Sequence, residues 1–293
     1  MSMIVWLPVG VAVAAGFASG LLHNRTRPAL AARLLTASLV SIAVAVVCGL
    51  VMAAFGVAAH VAPLSTVLGW CDSLVEPHHH VPTIVGVLSG LALLVGVGRM
   101  ILWRRHRRAV ADSAGLVWEP VQVIVSDEPM AYCVPGPPGH VVVSSGMLDC
   151  LDPPEQAALL AHEQAHLDHR HHRYVSVAES AARAVPLLHP LRERVRFCTE
   201  RWADEIAADA VGDRRVVATA IARAALARSS APFDTLELAG HGVAARVSAL
   251  LRGTDAGGRS APGTVGLGLA VAVTVTAALV QVSHLITYIA HVC

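Results

Sequence analysis

The chain has 293 residues, 55% of them hydrophobic and only 15% charged, and its mean hydropathy is +0.58. These values exclude an ordinary soluble domain, in which about a quarter of residues are charged, and point to lipid as the solvent for much of the apolar surface. With a formal net charge of +1 and no lysine at all, the sequence gives no support to a direct nucleic-acid partner.

In chain order, four stretches are long and apolar enough to span a bilayer, which needs roughly 20 residues: about 3–22, 35–58, 82–103 and 264–290. None contains Asp or Glu. The first lacks a positively charged leader, its arginines Arg25 and Arg27 following it, so it reads as an uncleaved span. Arginines mark the cytoplasmic side. Arg25, Arg27 and Arg33 lie in the first connection, Arg99, Arg104, Arg105, Arg107 and Arg108 at the end of the third span, and none in the second connection. The expectation is a multi-pass cell-membrane protein with both termini outside and residues 104–262 in the cytoplasm. Cys133, Cys150 and Cys198 then face a reducing compartment, lack CxxC spacing and read as small core residues. Cys71 and Cys293 would both lie outside, where a disulfide could join them.

Residues 1–103 thus hold three spans, 104–262 a folded cytoplasmic domain, and 263–293 the fourth span with a short outer tail. In the domain, VQVIVS (121–126) and HVVVSS (140–145) are β-branched runs bounded by Pro and Gly, and predict two strands of a small sheet. Asp152, Pro153 and Glu155 form a helix start with a capping box, and that helix should run to about Arg170. A second helix is expected over 191–212, ending at Gly212.

The first of these helices carries LAHEQAHLDHRHH. His162 and His166 are four residues apart and share a face, where both imidazoles can reach one ion, with Glu163 beside them to act on water. This H-E-x-x-H spacing is that of zinc peptidases, with the glutamate as general base and then acid. A catalytic Zn²⁺ needs a third protein ligand and an open position. His172 stands where a metzincin places that ligand, but His169 replaces the glycine such a turn requires. The second helix offers Glu200 with Asp204 one turn on, and Glu205 with Asp209 in the same relation.

Taken together, GHVVVSSGML, PPEQAALLAHEQAHLDHR, ERWADEIAADA and HGVAARVSAL resemble the catalytic domain of the membrane-embedded gluzincins. That group includes the heat-shock protease HtpX, the CAAX-type prenyl-protein endopeptidases and, with the greatest resemblance, the BlaR/MecR-type antibiotic-sensing metallopeptidases. The resemblance implies an α-helical polytopic membrane protein of four spans with an inserted α+β zincin-like metallopeptidase domain. The group's E-x-x-A-D stretch fits Glu200 to Asp204, which implies Glu200 as third ligand and Asp204 as the residue that orients a ligand histidine. Its later His-Pro-Arg element implies a substrate- or oxyanion-positioning role for His241 and a supporting role for Arg246, although Gly242 replaces the proline. In such peptidases the substrate adds as a strand to the sheet edge, and HVVVSS is the expected edge.

The partners so implied are the bilayer and a protein or peptide substrate, with a cytoplasmic repressor cut in regulated signalling as the first expectation and membrane proteins in quality control as the alternative. BlaR/MecR transducers carry an outer penicillin-binding domain after the last span; here the chain ends at YIAHVC, so a signal is expected to arrive through the spans, the outer loop or another protein. A non-proteolytic metal sensor or transporter would account for EPHHH and for His169, His171 and His172, but it would want ionisable residues lining the spans, which offer only Arg99, Gln281 and His284.

Overall fold

The computed structural model describes residues 6–58, 82–113, 119–228, 236–256 and 261–292. Cys71 and Cys293, and with them the expected disulfide, lie outside the described residues, as do the histidines of EPHHH. Among the described residues four helices are long and apolar enough to cross a membrane: α1 (Leu7–Leu22), α2 (Pro28–Ala58), α3 (Thr83–Ser113) and a terminal helix (Ala261–Val292), which fall on the four expected stretches. The second helix starts at Pro28, seven residues ahead of the expected boundary. Its early turns are buried by protein: Ala31, Ala32, Leu35 and Leu39 are all 0% exposed.

Between α3 and the terminal helix stands a small sheet of β1 (Val121–Ile124), β2 (Ala131–Val134) and β3 (His140–Ser144), in the order β1-β3-β2. β1 runs parallel to β3, with Val121 opposite Val141, and β2 antiparallel to it, with Ala131 opposite Val143. The expectation that HVVVSS is the edge is therefore corrected. β3 is the central strand, buried along its length, as an unbroken Val run covered on both faces should be. The edge beside the histidine helix is β2, four residues between Pro129 and Pro135, too short to show a period of two.

Six helices follow: α4 (Ser145–Asp149), α5 (Pro153–Asp168), α6 (His171–Ala184), α7 (His189–Val211), α8 (Arg214–Arg228) and α9 (Leu236–Ala256); the terminal helix is α10. α5 starts as expected. The Asp152 N–H donates to Glu155 Oε2 at 3.0 Å, and Arg223 of α8 pairs with the same carboxylate at 2.7 Å. It stops at Asp168 instead of Arg170, because Arg170 takes a left-handed conformation, φ 52°, that turns the chain straight into α6. α7 ends where Gly212, at φ 75°, donates its N–H to the Ala208 carbonyl at 3.0 Å, a left-handed cap that favours glycine.

One hydrophobic cluster joins the apolar helices to the segment that carries the histidine motif. Ala31, Leu35 and Leu39 of α2 meet Ala178 and Ala182 of α6 and Leu191, Val195 and Cys198 of α7, with Leu267 of α10 in the same cluster. Full burial of a side chain such as Leu191 contributes about 1.5–3 kcal/mol. A second cluster is made of small residues, Ala158 of α5, Ala207 and Ala208 of α7 and Ala218 and Ala220 of α8, which lets α5 and α7 lie close together. Of the cysteines read as core residues, Cys198 is buried and Cys133 half-buried, whereas Cys150 is exposed, a correction: it sits in the short turn between α4 and α5.

Candidate active site

The alanine-lined approach of α5 and α7 brings their polar residues together. His162 and His166, one turn apart on α5, point their Nε2 atoms at each other across 3.1 Å. Glu200 of α7 places Oε2 3.6 Å from His162 Nε2 and Oε1 3.7 Å from His166 Nε2. One atom from each of the three residues lies within 4.8 Å of the other two. Among the described residues this is the one group able to hold a metal ion.

The outer nitrogens decide what the inner ones do. His162 Nδ1 lies 3.0 Å from Asp204 Oδ1, too obliquely for a well-formed hydrogen bond but close to a carboxylate that is 2% exposed. His166 Nδ1 lies 3.0 Å from His171 Nδ1. With the ring protons on the Nδ1 side, two Nε2 lone pairs and a carboxylate converge on one point, which is unfavourable unless a cation sits there. Two neutral imidazoles and one carboxylate are a zinc donor set. The residues thus fit Zn²⁺, and Glu200, whose side chain is 39% exposed, leaves the far side open to the cleft.

Arg246 of α9 locks the carboxylates in place. Its Nε and Nη2 donate to Asp204 Oδ2 and Oδ1 at 2.8 and 2.6 Å, and its Nη1 is 3.0 Å from Glu200 Oε2. Burial works to raise both carboxyls, but His162 and Arg246 outweigh it and hold Glu200 and Asp204 below the usual carboxylate range. Burial likewise disfavours charge on His162, yet Asp204 and Glu200 push it up to about 9, while His166, where burial wins, falls to about 4. Without a metal, one proton at His162 supplies the positive charge these carboxylates ask for. Glu163, also on α5, is raised, mainly by burial.

These residues line a cleft of about 300 Å³, with His162, Glu163, His166, Glu200 and Arg246 on one side and Tyr132 of the β2 edge on the other. The rival ligands fall elsewhere: Glu205 pairs with Arg214 at 2.8 Å, Asp209 is exposed, and His172 is outside the metal-binding group. His241 lies on α9, five residues before Arg246, but its side chain is outside the described residues. The sequence left three participants unmarked: β2, His171 and Trp202. His171 is 1% exposed and Trp202 6%; only the fold puts them behind the histidines. His171 stood in a cluster with His169 and His172, and no spacing there set it apart as the one that reaches His166.

The sequence profile of Peptidase family M48 matches residues 102–190, which contain β1 to α6 and both motif histidines. A protein named Protease HtpX homolog, from Acidiphilium cryptum (strain JF-5), is 35% identical over 81 residues, 27% of this chain and 28% of that one. The chain therefore spans little more than a quarter of the length of this curated relative. No solved structure matches. Of the group expected from the motifs, the likeness is to the M48 and HtpX members. It covers the segment bearing His162, Glu163 and His166, while Glu200, Asp204 and Arg246, which complete the site, lie beyond the matched residues and rest on the geometry.

Proposed function

We propose that this chain is a membrane-embedded zinc endopeptidase whose active site faces the cytoplasm. One observation carries the reading: the convergence of His162, His166 and Glu200, with Glu163 beside them, in a cleft bordered by the free edge of β2. His162, His166 and Glu200 would hold Zn²⁺, which when bound supplies a Lewis acid for the scissile carbonyl. Glu163 takes a proton from the attacking water and later delivers it to the leaving amine; its burial makes that carboxylate a better base than an exposed one. Asp204 orients His162 and Arg246 orients Asp204 and Glu200. The substrate backbone pairs with β2 as an added strand, and alternate side chains enter the cleft. His241 is proposed to position the substrate from α9.

The cleft is built by β2, α5, α8 and α9 with Glu200 of α7, and of these α7 is the element packed on the apolar helices. That placement favours a substrate segment arriving from water over one lying in the bilayer. We therefore read the substrate as a cytoplasmic protein, a transcriptional repressor cut in regulated signalling being the specific form; the cytoplasmic orientation rests on the arginine distribution. New protein N-termini are compared in cells producing the intact chain and Glu163→Gln, which keeps the ligands and removes the base. Cuts in a cytoplasmic DNA-binding protein seen only with the intact chain support the reading, and cuts confined to membrane proteins replace it with quality control. The purified Glu163→Gln variant is expected to retain zinc and to lose activity by about 10²–10⁴-fold; equal activity in the two would remove Glu163 from the mechanism.

A further inference from the structure

His171 is a buried titratable ring that the proposed mechanism does not use. It opens α6, and the left-handed Arg170 folds α6 back so that His171 meets His166 edge-on, with ring centroids 4.8 Å apart and planes at 88°. Its Nδ1 is 3.0 Å from His166 Nδ1. The other side of the ring is closed by Trp202, 4.6 Å away, and by His169, stacked at 5.9 Å. The Arg33 guanidinium of α2 caps Trp202 at 5.1 Å. His171 is 1% exposed and its Nε2 is buried without a hydrogen-bond partner among the described residues.

We infer that His171 is the positioning residue for His166, fixing its tautomer and ring angle by accepting a hydrogen bond from Nδ1. The inference rests on the reading of His162, His166 and Glu200 as a metal site. If His166 presents the Nε2 lone pair to an ion, its proton is on Nδ1, and among the described residues the atom within hydrogen-bond distance of Nδ1 is His171 Nδ1. His171 must then carry its own proton on Nε2, and no hydrogen-bond donor among the described residues faces that atom to favour the opposite tautomer. Nδ1 is thereby left free to accept. The two histidines are supported differently, His162 by a carboxylate and His166 by a neutral ring held in an aromatic cage. That cage ends on α2, so the ligand is tied through Trp202 and Arg33 to the start of an apolar helix.

The test uses the full chain purified in detergent and two variants of similar size, His171→Asn, whose side-chain oxygen stands near the place of Nδ1, and His171→Gln, whose oxygen stands near that of Nε2. Zinc affinity is read by competition with a chelator, and the ligand field by the visible spectrum of the Co²⁺ form. The expected result is a loss of about 10–100-fold in zinc affinity and an altered Co²⁺ spectrum for Gln, with most of that affinity and the native spectrum kept by Asn. Equal affinities for Asn and Gln, whether both native or both weak, overturn the inference, because packing and not the acceptor would then set them. Thermal unfolding of the metal-free forms shows that both variants are folded. His166→Ala is run alongside: if it binds zinc as tightly as the intact chain, the metal site itself has been misread, a failure distinct from that of His171.

Discussion

Around the paired histidines, buried charge meets buried charge: Asp204, 2% exposed, is gripped at both oxygens by Arg246, whose side chain is 12% exposed. Among the apolar helices the buried polar groups are neutral and thinly bonded. Ser38 of α2 faces Thr274 of α10 at 3.4 Å, and Gln281, 0% exposed, reaches only the Met52 sulfur at 3.7 Å. The difference follows from what each region must do. Holding donor atoms in place for a divalent ion requires fixed charges, each of which must be compensated because an unpaired buried charge is costly. Helices packing in lipid need close approach more than polar strength.

The largest effect is expected where a charged clamp is broken. Asp204→Ala leaves Arg246 buried opposite nothing but Glu200 and removes the carboxylate behind His162, so the folded state should lose about 3–5 kcal/mol, with zinc affinity falling as well. Chemical unfolding in detergent reads the first quantity and chelator competition the second. The double variant Asp204→Ala with Arg246→Ala should recover part of the stability, since the buried guanidinium is no longer stranded and Glu200, which also loses Arg246, is 39% exposed. A loss below about 1 kcal/mol in the single variant would show that the clamp is solvated and that the contrast between the two regions is false.

In the apolar half the corresponding weak point is steric. A Cβ on Gly86 of α3 would fall 2.7 Å from the Ala53 carbonyl oxygen of α2 and would overlap Val57. Because the obstacle includes backbone, Gly86→Ala should push α3 from α2 and destabilise the chain by about 1–3 kcal/mol, seen as a lower unfolding midpoint. Gly98→Ala, on the same helix with nothing within 4 Å of its Cβ, is the control and should be neutral. Equal effects at the two positions would mean that helix propensity, not close approach, explains the glycines.

Much of the half that carries the candidate site could be read in advance because its signals are local. A capping box, a left-handed glycine cap and a four-residue histidine spacing are each set within one helix turn, and all three stand where the sequence puts them. Choosing Glu200 over Glu205 was different: both have a partner carboxylate four residues on, and the decision is made by how α7 rotates against α5 on Ala207 and Ala208. What depends on strand order or on chain reversal was not legible. β2 is too short to show alternation, so its place at the edge is a tertiary fact, and His171 reaches His166 only because Arg170 adopts φ 52°. The early start of α2 was hidden for a related reason. Arg33 broke the apolar run, although it caps Trp202 within a continuous helix. Arg33→Ala should therefore lower stability by only about 0.5–1 kcal/mol, a cation–π contact's share, measured against Arg27→Ala.

The smallest effect is expected at Gln281, and it is the sharpest test of the contrast. Its amide is fully buried between α2 and α10, yet its nitrogen meets a thioether, a weak acceptor, and its oxygen has no hydrogen-bond partner among the described residues. A buried polar group with so little compensation should not stabilise the fold, since the amide gives up hydration and gains little in return. Gln281→Leu, of similar volume, should change stability by less than about 0.6 kcal/mol, the average for a polar contact between membrane helices, and should leave zinc affinity unchanged. A loss of about 2 kcal/mol or more, the scale of an unsatisfied buried partner, would show that Gln281 belongs to a bonded cluster. The apolar helices would then be organised by polar bonding as the half with the candidate site is, and the two regions would no longer differ in kind.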